Sequence, residues 1–278
     1  MDTLFQALVM GLVQGLTEFL PVSSSGHLIV VPKLLGWNDP FIESLAFSVM
    51  LHISTLAALL IYFRADWLRL VPAGLAAIRD RSLRADPDRR LAWLLVVATI
   101  PAVIAGVLLN DLVETSFRDY HLVAITLVIG AAILWVADRT GRKTKGVDEV
   151  TFPVAFGVGV AQALALVPGI SRSGISISAG LFAGLDRASA ARFSFLMATP
   201  VVAGAGVWEL KKLLTGEAGV DVALMPLLVG MIAALVSGLA AISILLRFLR
   251  THSTTVFVAY RIVLAAVILV FWLGLLDR

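Results

Sequence analysis

Six apolar runs, each long enough to cross a bilayer as a helix, dominate this chain of 278 residues: Ser44–Phe63, Leu91–Leu109, His121–Ala137, Phe193–Leu210, Val222–Leu246 and Val256–Leu276. About 20 apolar residues suffice for one crossing. A spanning segment must satisfy its own backbone hydrogen bonds, so these runs predict an all-α polytopic membrane protein, read as one membrane domain over 1–278. The composition agrees, with 59% hydrophobic and 15% charged residues, against about 25% charged in soluble domains. There is no cysteine, which excludes disulfides, thiolate catalysis and Cys-ligated metals. The basic residues sit in short loops between apolar runs, which speaks against a nucleic-acid partner. The start, MDTLFQALVM, has no basic n-region, and no cleaved signal peptide is expected.

Two further apolar stretches carry polar residues that hydrocarbon does not tolerate unless they line a cavity. Thr3–Val31 holds Gln14, Glu18, Pro21, three serines and His27. Phe152–Leu185 holds Gln162, Pro168-Gly169, Ser171, Arg172 and Ser173. Both read as helix–break–helix hairpins that enter the membrane and return to the same side. At an offset of 148 residues, Gly11, Gln14, Leu16, Ser23, Ser25 and Gly26 fall on Gly159, Gln162, Leu164, Ser171, Ser173 and Gly174. An internal repeat follows, with a first copy over about 1–140 and a second over about 150–278.

Three spans separate the hairpins, so the second starts from the opposite face and the repeats are inverted. Their broken tips can then meet near the midplane. In this topology fifteen of the 22 basic residues lie on one side and five, including Arg118, Lys211, Lys212 and Arg278, on the other. The richer side is expected to be cytoplasmic, which turns the first hairpin's entrance outward. The segment 64–90 reads as a cytoplasmic connection with a short surface helix.

Gln14 and Glu18 are four residues apart and share a helix face. Pro21 ends that helix. A helix restarting at Ser23–Gly26 presents amides that favour anions, with His27 one turn on. The second tip, Val167-Pro168-Gly169-Ile170-Ser171-Arg172-Ser173-Gly174, adds a guanidinium, whose planar fork suits phosphate oxygens. Carboxylate, imidazole, hydroxyls and arginine together are the parts phosphoryl transfer needs. Membrane burial suggests a lipid phosphate as substrate. Each polar residue also has a plainer reading. Ser23, Ser173, Ser176 and Ser178 can bond carbonyls a turn back, Gln14 and Gln162 can pair across the repeat axis, His52 can be a hydrogen-bonded span residue, and Arg261 can snorkel to the interface.

The pair of motifs, Gln14-x-x-x-Glu18 with Pro21-Val-Ser-Ser-Ser-Gly-His27 and Pro168-Gly-Ile-Ser-Arg-Ser-Gly174, resembles the undecaprenyl-diphosphatase family, also called the bacitracin resistance protein A family. The likeness extends to Arg192-Phe-Ser-Phe-Leu and Ala259-Tyr-Arg261. It implies a bacterial inner-membrane enzyme, with its site facing the periplasm, that hydrolyses undecaprenyl diphosphate to the monophosphate and inorganic phosphate. Inverted repeats and a homodimer are also implied. By position, Glu18 falls on the family's essential glutamate and Gln14 where many members carry a second one. Ser24 and Ser25 fall on a hydroxyl pair, His27 and Arg172 on the catalytic pair, flanked by Ser171 and Ser173. His52 falls where some relatives have Gln.

These readings combine into one expected mechanism. Ser24 attacks the terminal phosphate, His27 transfers protons, and Glu18 orients His27 or binds a divalent cation, Mg²⁺ or Ca²⁺. Arg172 holds the phosphate with Gln14, Ser23, Ser25, Gly26, His52, Ser171, Ser173 and Gly174 lining the site. Direct attack by water is the rival route. The other function class is a lipid-phosphate flippase or anion transporter, since inverted repeats with broken helices also build carriers. A second lipid-phosphatase superfamily needs a His soon after the Ser-Arg pair, and Ser171-Arg172 is followed by none.

Overall fold

A computed structural model describes residues 2–83, 86–109, 120–215 and 223–273. The described residues form eleven α-helices: α1 (Thr3–Phe19), α2 (Ser24–Leu34), α3 (Leu45–Tyr62), α4 (Arg64–Asp80), α5 (Pro87–Leu108), α6 (Tyr120–Thr140), α7 (Phe152–Ala163), α8 (Arg172–Phe182), α9 (Arg187–Leu214), α10 (Leu224–Phe248) and α11 (Thr255–Trp272). Short 3-10 turns occupy Val147–Glu149 and Leu164–Leu166. Among the described residues there is no β-strand. Six helices, α3, α5, α6, α9, α10 and α11, are long and apolar enough to cross a membrane, and they coincide with the six runs. Val222, the last residues of the final run, Arg118 and Arg278 lie outside the described residues, as does the side chain of Lys212.

The two interrupted stretches fold as helix, break, helix. Pro21 lies in the first break and Pro168-Gly169 in the second, where neither can continue a helix. At 1.5 Å per residue, the 11 residues of α2 and of α8 reach about 16 Å, half of a hydrocarbon core. Small residues let these elements nest. A Cβ on Gly11 of α1 would stand 2.2 Å from the Gly230 carbonyl oxygen of α10, and one on Gly159 of α7 2.2 Å from that of Ala98 in α5. Close backbone approach is how membrane helices gain packing without a hydrophobic drive. Between them Phe19, Phe63 and Phe195 form an aromatic column, edge-on with ring centres 5.5 Å apart for Phe19–Phe195 and tilted with centres 6.5 Å apart for Phe63–Phe195.

The basic segments converge on one side. Arg90 donates to the carbonyls of Asp148 and Val150 at 2.9 and 2.6 Å. Arg187 pairs with Asp138 at 2.6 Å and Arg192 with Asp66 at 2.6 Å. Asp138 also accepts from the Thr254 amide at 2.9 Å.

The connection after α3 is more structured than expected, because α4 runs 17 residues. Leu68, Val71, Leu75 and Ile78 repeat at three and four residues along it and are 54–76% exposed, with Arg64 and Arg79 near the two ends of the stripe. This is the pattern of a helix that lies in the membrane interface.

Candidate active site

The two breaks are built alike. Ser23 and Ser171 both take a left-handed backbone, φ 76° and 73°, which costs a non-glycine residue about 1–3 kcal/mol. Each caps the helix that follows, its Oγ accepting from the amide of Gly26 (3.4 Å) or Gly174 (3.1 Å). The breaks also bind each other. Ser23 Oγ accepts from the Gly169 amide at 3.1 Å, and Ser173 Oγ donates to the Leu20 carbonyl at 3.0 Å. Ser25 Oγ sits 3.3 Å from Ser23 Oγ, and Ser173 Oγ 3.2 Å from Ser171 Oγ. Thus Ser23, Ser25, Gly26, Ser171, Ser173 and Gly174 brace the tips. The amides of Gly26 and Gly174 are used by the caps, so the anion-facing amides must come from the first residues of α2 and α8.

Glu18 is the hub of the tips. It is 6% exposed. Arg172 forms an ion pair with its Oε1. Ser24 donates to Oε2 at 2.5 Å, Gln14 Nε2 donates to the same oxygen at 2.9 Å, and His52 Nε2 stands 3.5 Å from it. Four residues from α1, α2, α3 and α8 therefore meet at one carboxylate. Only one N–H direction of the Arg172 fork is taken by this pair, and a guanidinium has five.

The expected link from Glu18 to His27 is absent. His27 Nδ1 bonds the Ser23 carbonyl at 2.7 Å, so that nitrogen carries the hydrogen. Its Nε2 then accepts from Tyr260 Oη at 2.7 Å, and the two rings stack. The intrahelical reach back to Ser23 turns the imidazole toward α11 and away from Glu18. His52 occupies the place sequence reasoning gave to His27. Its Nδ1 donates to the Ser48 carbonyl at 2.8 Å, leaving Nε2 to face the carboxylate.

Arg261 overturns another expectation. It does not snorkel: the residue is 0% exposed, and its guanidinium donates to five carbonyls. Nε reaches Leu127 at 3.1 Å, Nη1 reaches Pro21 at 3.4 Å, and Nη2 reaches Thr126 (3.4 Å), Gly169 (2.7 Å) and Ile170 (3.0 Å). Breaking a helix strands carbonyls, and one cation from α11 satisfies them in both breaks. Gly130 makes the room, since a Cβ there would lie 2.0 Å from Nη2. The only sequence signal was an arginine inside an apolar run, which demands acceptors.

Other plain readings divide. Ser176 and Ser178 do bond carbonyls a turn back, at 2.6 and 2.7 Å. Gln14 and Gln162 do not pair. Gln14 turns to Glu18, and among the described residues neither polar atom of the Gln162 side chain has a hydrogen-bond partner.

A divalent cation at the tips would need oxygen donors from these residues. Among the described residues no three His, Asp or Glu side chains cluster. Glu18 is the one carboxylate of the site, and Arg172, Ser24 and Gln14 already donate to its oxygens. A Mg²⁺ or Ca²⁺ here would have to share that carboxylate with these donors and take its remaining oxygen ligands from the diphosphate and water.

Fold and site together define a multi-pass membrane protein whose polar centre joins two interrupted helices. Residues 7–267 match the family model described as bacitracin resistance protein BacA. A Moorella thermoacetica protein named undecaprenyl-diphosphatase is 47% identical over 272 residues, covering 98% of this chain and 99% of its own. Relatives of the same name from Gemmatimonas aurantiaca and Desulforudis audaxviator are 47% and 44% identical, each covering 96% of this chain and 97% of its own. The chain belongs to the bacitracin resistance protein BacA family.

Proposed function

We propose that this membrane enzyme is an undecaprenyl-diphosphate phosphatase, releasing undecaprenyl phosphate and inorganic phosphate. The observation that carries the reading is the Ser24–Glu18–Arg172 constellation, set in a chain that spans the membrane. Ser24 Oγ attacks the terminal phosphorus in line while its proton passes to Glu18 Oε2, 2.5 Å away. The bond to the bridging oxygen breaks and the lipid monophosphate leaves. Water then cleaves the phosphoserine and frees phosphate. Arg172 and the first amides of α2 and α8 neutralise the equatorial oxygens. His52 Nε2 takes up or returns the proton held by Glu18, the role expected of His27.

The finer claims rest on specific support. Two inverted repeats are favoured by Ser23 and Ser171, which share backbone, cap and sequence offset, and by the paired close contacts at Gly11 and Gly159. Re-entry of both hairpins fits the half-membrane length of α2 and α8. An inner-membrane location with the site facing outward is supported by the gathering of basic residues on one side, which the positive-inside rule assigns to the cytoplasm. A homodimer follows from the family resemblance alone. No step here runs through a cation. Mg²⁺ or Ca²⁺ enters this scheme only as a counter-ion of the diphosphate.

The test is phosphate release from undecaprenyl diphosphate by the purified protein in detergent, with and without chelator. Detergent abolishes transport, so release there favours the enzyme, and binding without release favours a flippase or anion carrier.

A further inference from the structure

A second polar concavity lies away from Glu18. It is a cavity of about 250 Å³ where α3, α4, α9 and α10 meet, lined among others by Tyr62, Phe63, Asp66, Arg192, Arg247 and Arg250. Tyr62 is ten residues beyond His52 on α3, about 15 Å along the axis. The cavity is therefore separate from the site already described.

Its charges do not cancel. Arg192 pairs with Asp66 at 2.6 Å and lies 6.0 Å from the centre of the Phe63 ring, which fixes its fork. Asp66 also pairs with Arg69 at 2.8 Å. The guanidiniums of Arg247 and Arg250 have no hydrogen bond or ion pair among the described residues. Three guanidiniums against one shared carboxylate leave at least two positive charges unmatched, facing a common hollow. Simple topology-setting arginines need no hollow, and none of them needs a ring to hold it in place.

The surroundings set the depth of this hollow. Asp66 lies in the first turn of α4, whose stripe Leu68, Val71, Leu75 and Ile78 is exposed. In a chain with six spans that stripe rests in the bilayer interface. Leu60, Ile61 and Ile244 beside the cavity are exposed apolar residues of spanning helices. The hollow thus sits at headgroup level with lipid-facing walls next to it.

We propose that this cavity is a phosphate-binding site, taking a phosphomonoester headgroup or inorganic phosphate on Arg192, Arg247 and Arg250. Guanidinium forks match phosphate oxygens in bidentate fashion. The assignment does not depend on the reaction at Glu18.

The experiment measures binding to the full chain in detergent by titration calorimetry. The probes are dioctanoyl phosphatidic acid, inorganic phosphate and, as a control, dioctanoyl phosphatidylcholine. Arg172→Gln removes the competing anion site. On that background, phosphatidic acid is expected to saturate one site, and adding Arg247→Gln with Arg250→Gln weakens it about tenfold or more. If Arg172→Gln does not fold, the same double change in the otherwise unaltered chain lowers the stoichiometry from two phosphatidic acids to one. Displacement by millimolar inorganic phosphate assigns free phosphate as the ligand, and failure to displace assigns the lipid headgroup. Turnover of lipid diphosphate within twofold of the unaltered chain certifies that Arg247→Gln/Arg250→Gln is folded. Unchanged affinity and stoichiometry in that folded variant, or equal binding of phosphatidylcholine, overturns the proposal.

Discussion

Arg261 Nη2 lies 2.7 Å from the carbonyl oxygen of Gly169, and the same guanidinium reaches Pro21 in the other break. One side chain from α11 therefore ties together the two segments that position Ser24 and Arg172. Arg261→Met leaves several buried carbonyls without donors and is expected to cost about 3 kcal/mol or more. Arg261→Lys keeps the charge but cannot span the carbonyls, and is expected to lose most of the same stability. Thermal unfolding of the purified variants measures both. A melting temperature unchanged in Arg261→Lys would show that charge alone suffices.

Arg172 is expected to act through its planar fork, which can hold Glu18 and a phosphate together. Arg172→Lys should lower kcat by about 10²-fold or more, the usual loss when a donor to a developing charge is removed. Steady-state phosphate release checks this. Normal turnover would remove Arg172 from the phosphate-binding role.

Ser24 donates to Glu18 at 2.5 Å, the geometry of a nucleophile beside its base. Ser24→Ala is expected to abolish both turnover and the trapping of a phosphoserine after rapid acid quench with labelled lipid diphosphate. Full turnover in Ser24→Ala would eliminate the covalent route and leave direct attack by water.

His52, not His27, stands beside the carboxylate. His52→Ala should reduce kcat about tenfold or more, within the range for positioned acid–base groups, and alter the shape of the kcat against pH profile. Tyr260→Phe removes only the hydroxyl that holds His27 and should change kcat less than His52→Ala. The reverse ranking would return proton transfer to His27.

Two glycines of α7 provide a packing test with an internal control. A Cβ at Gly159 would meet the Ala98 carbonyl oxygen at 2.2 Å, whereas one at Gly157 finds nothing within 4 Å. Gly159→Ala should destabilise by about 1–3 kcal/mol, and Gly157→Ala should not destabilise. Equal melting temperatures would mean that α5 and α7 separate without cost.

Much of this was legible before any coordinates. Hydropathy located all six spans, because a run of about 20 apolar residues has few other fates. Proline and polar residues located both breaks, and the four-residue spacing put Gln14 beside Glu18. The partners across helices were not legible. Sequence spacing cannot tell that His27 turns to Tyr260, 233 residues away, while His52 comes to Glu18 from α3. Arg261 was misread for a related reason. Hydropathy reports how deep a residue lies but not which way it faces around its helix, and Arg261 faces inward.

The clamp on both breaks has a consequence for biosynthesis. Its guanidinium belongs to α11, which follows both breaks in the chain, so a nascent chain still lacking that helix has Ser24 and Arg172 already synthesised but nothing to lock their supports together. Catalytic competence must therefore wait until α11 leaves the ribosome and inserts, and a product terminated before that helix would be a membrane protein without an enzyme in it.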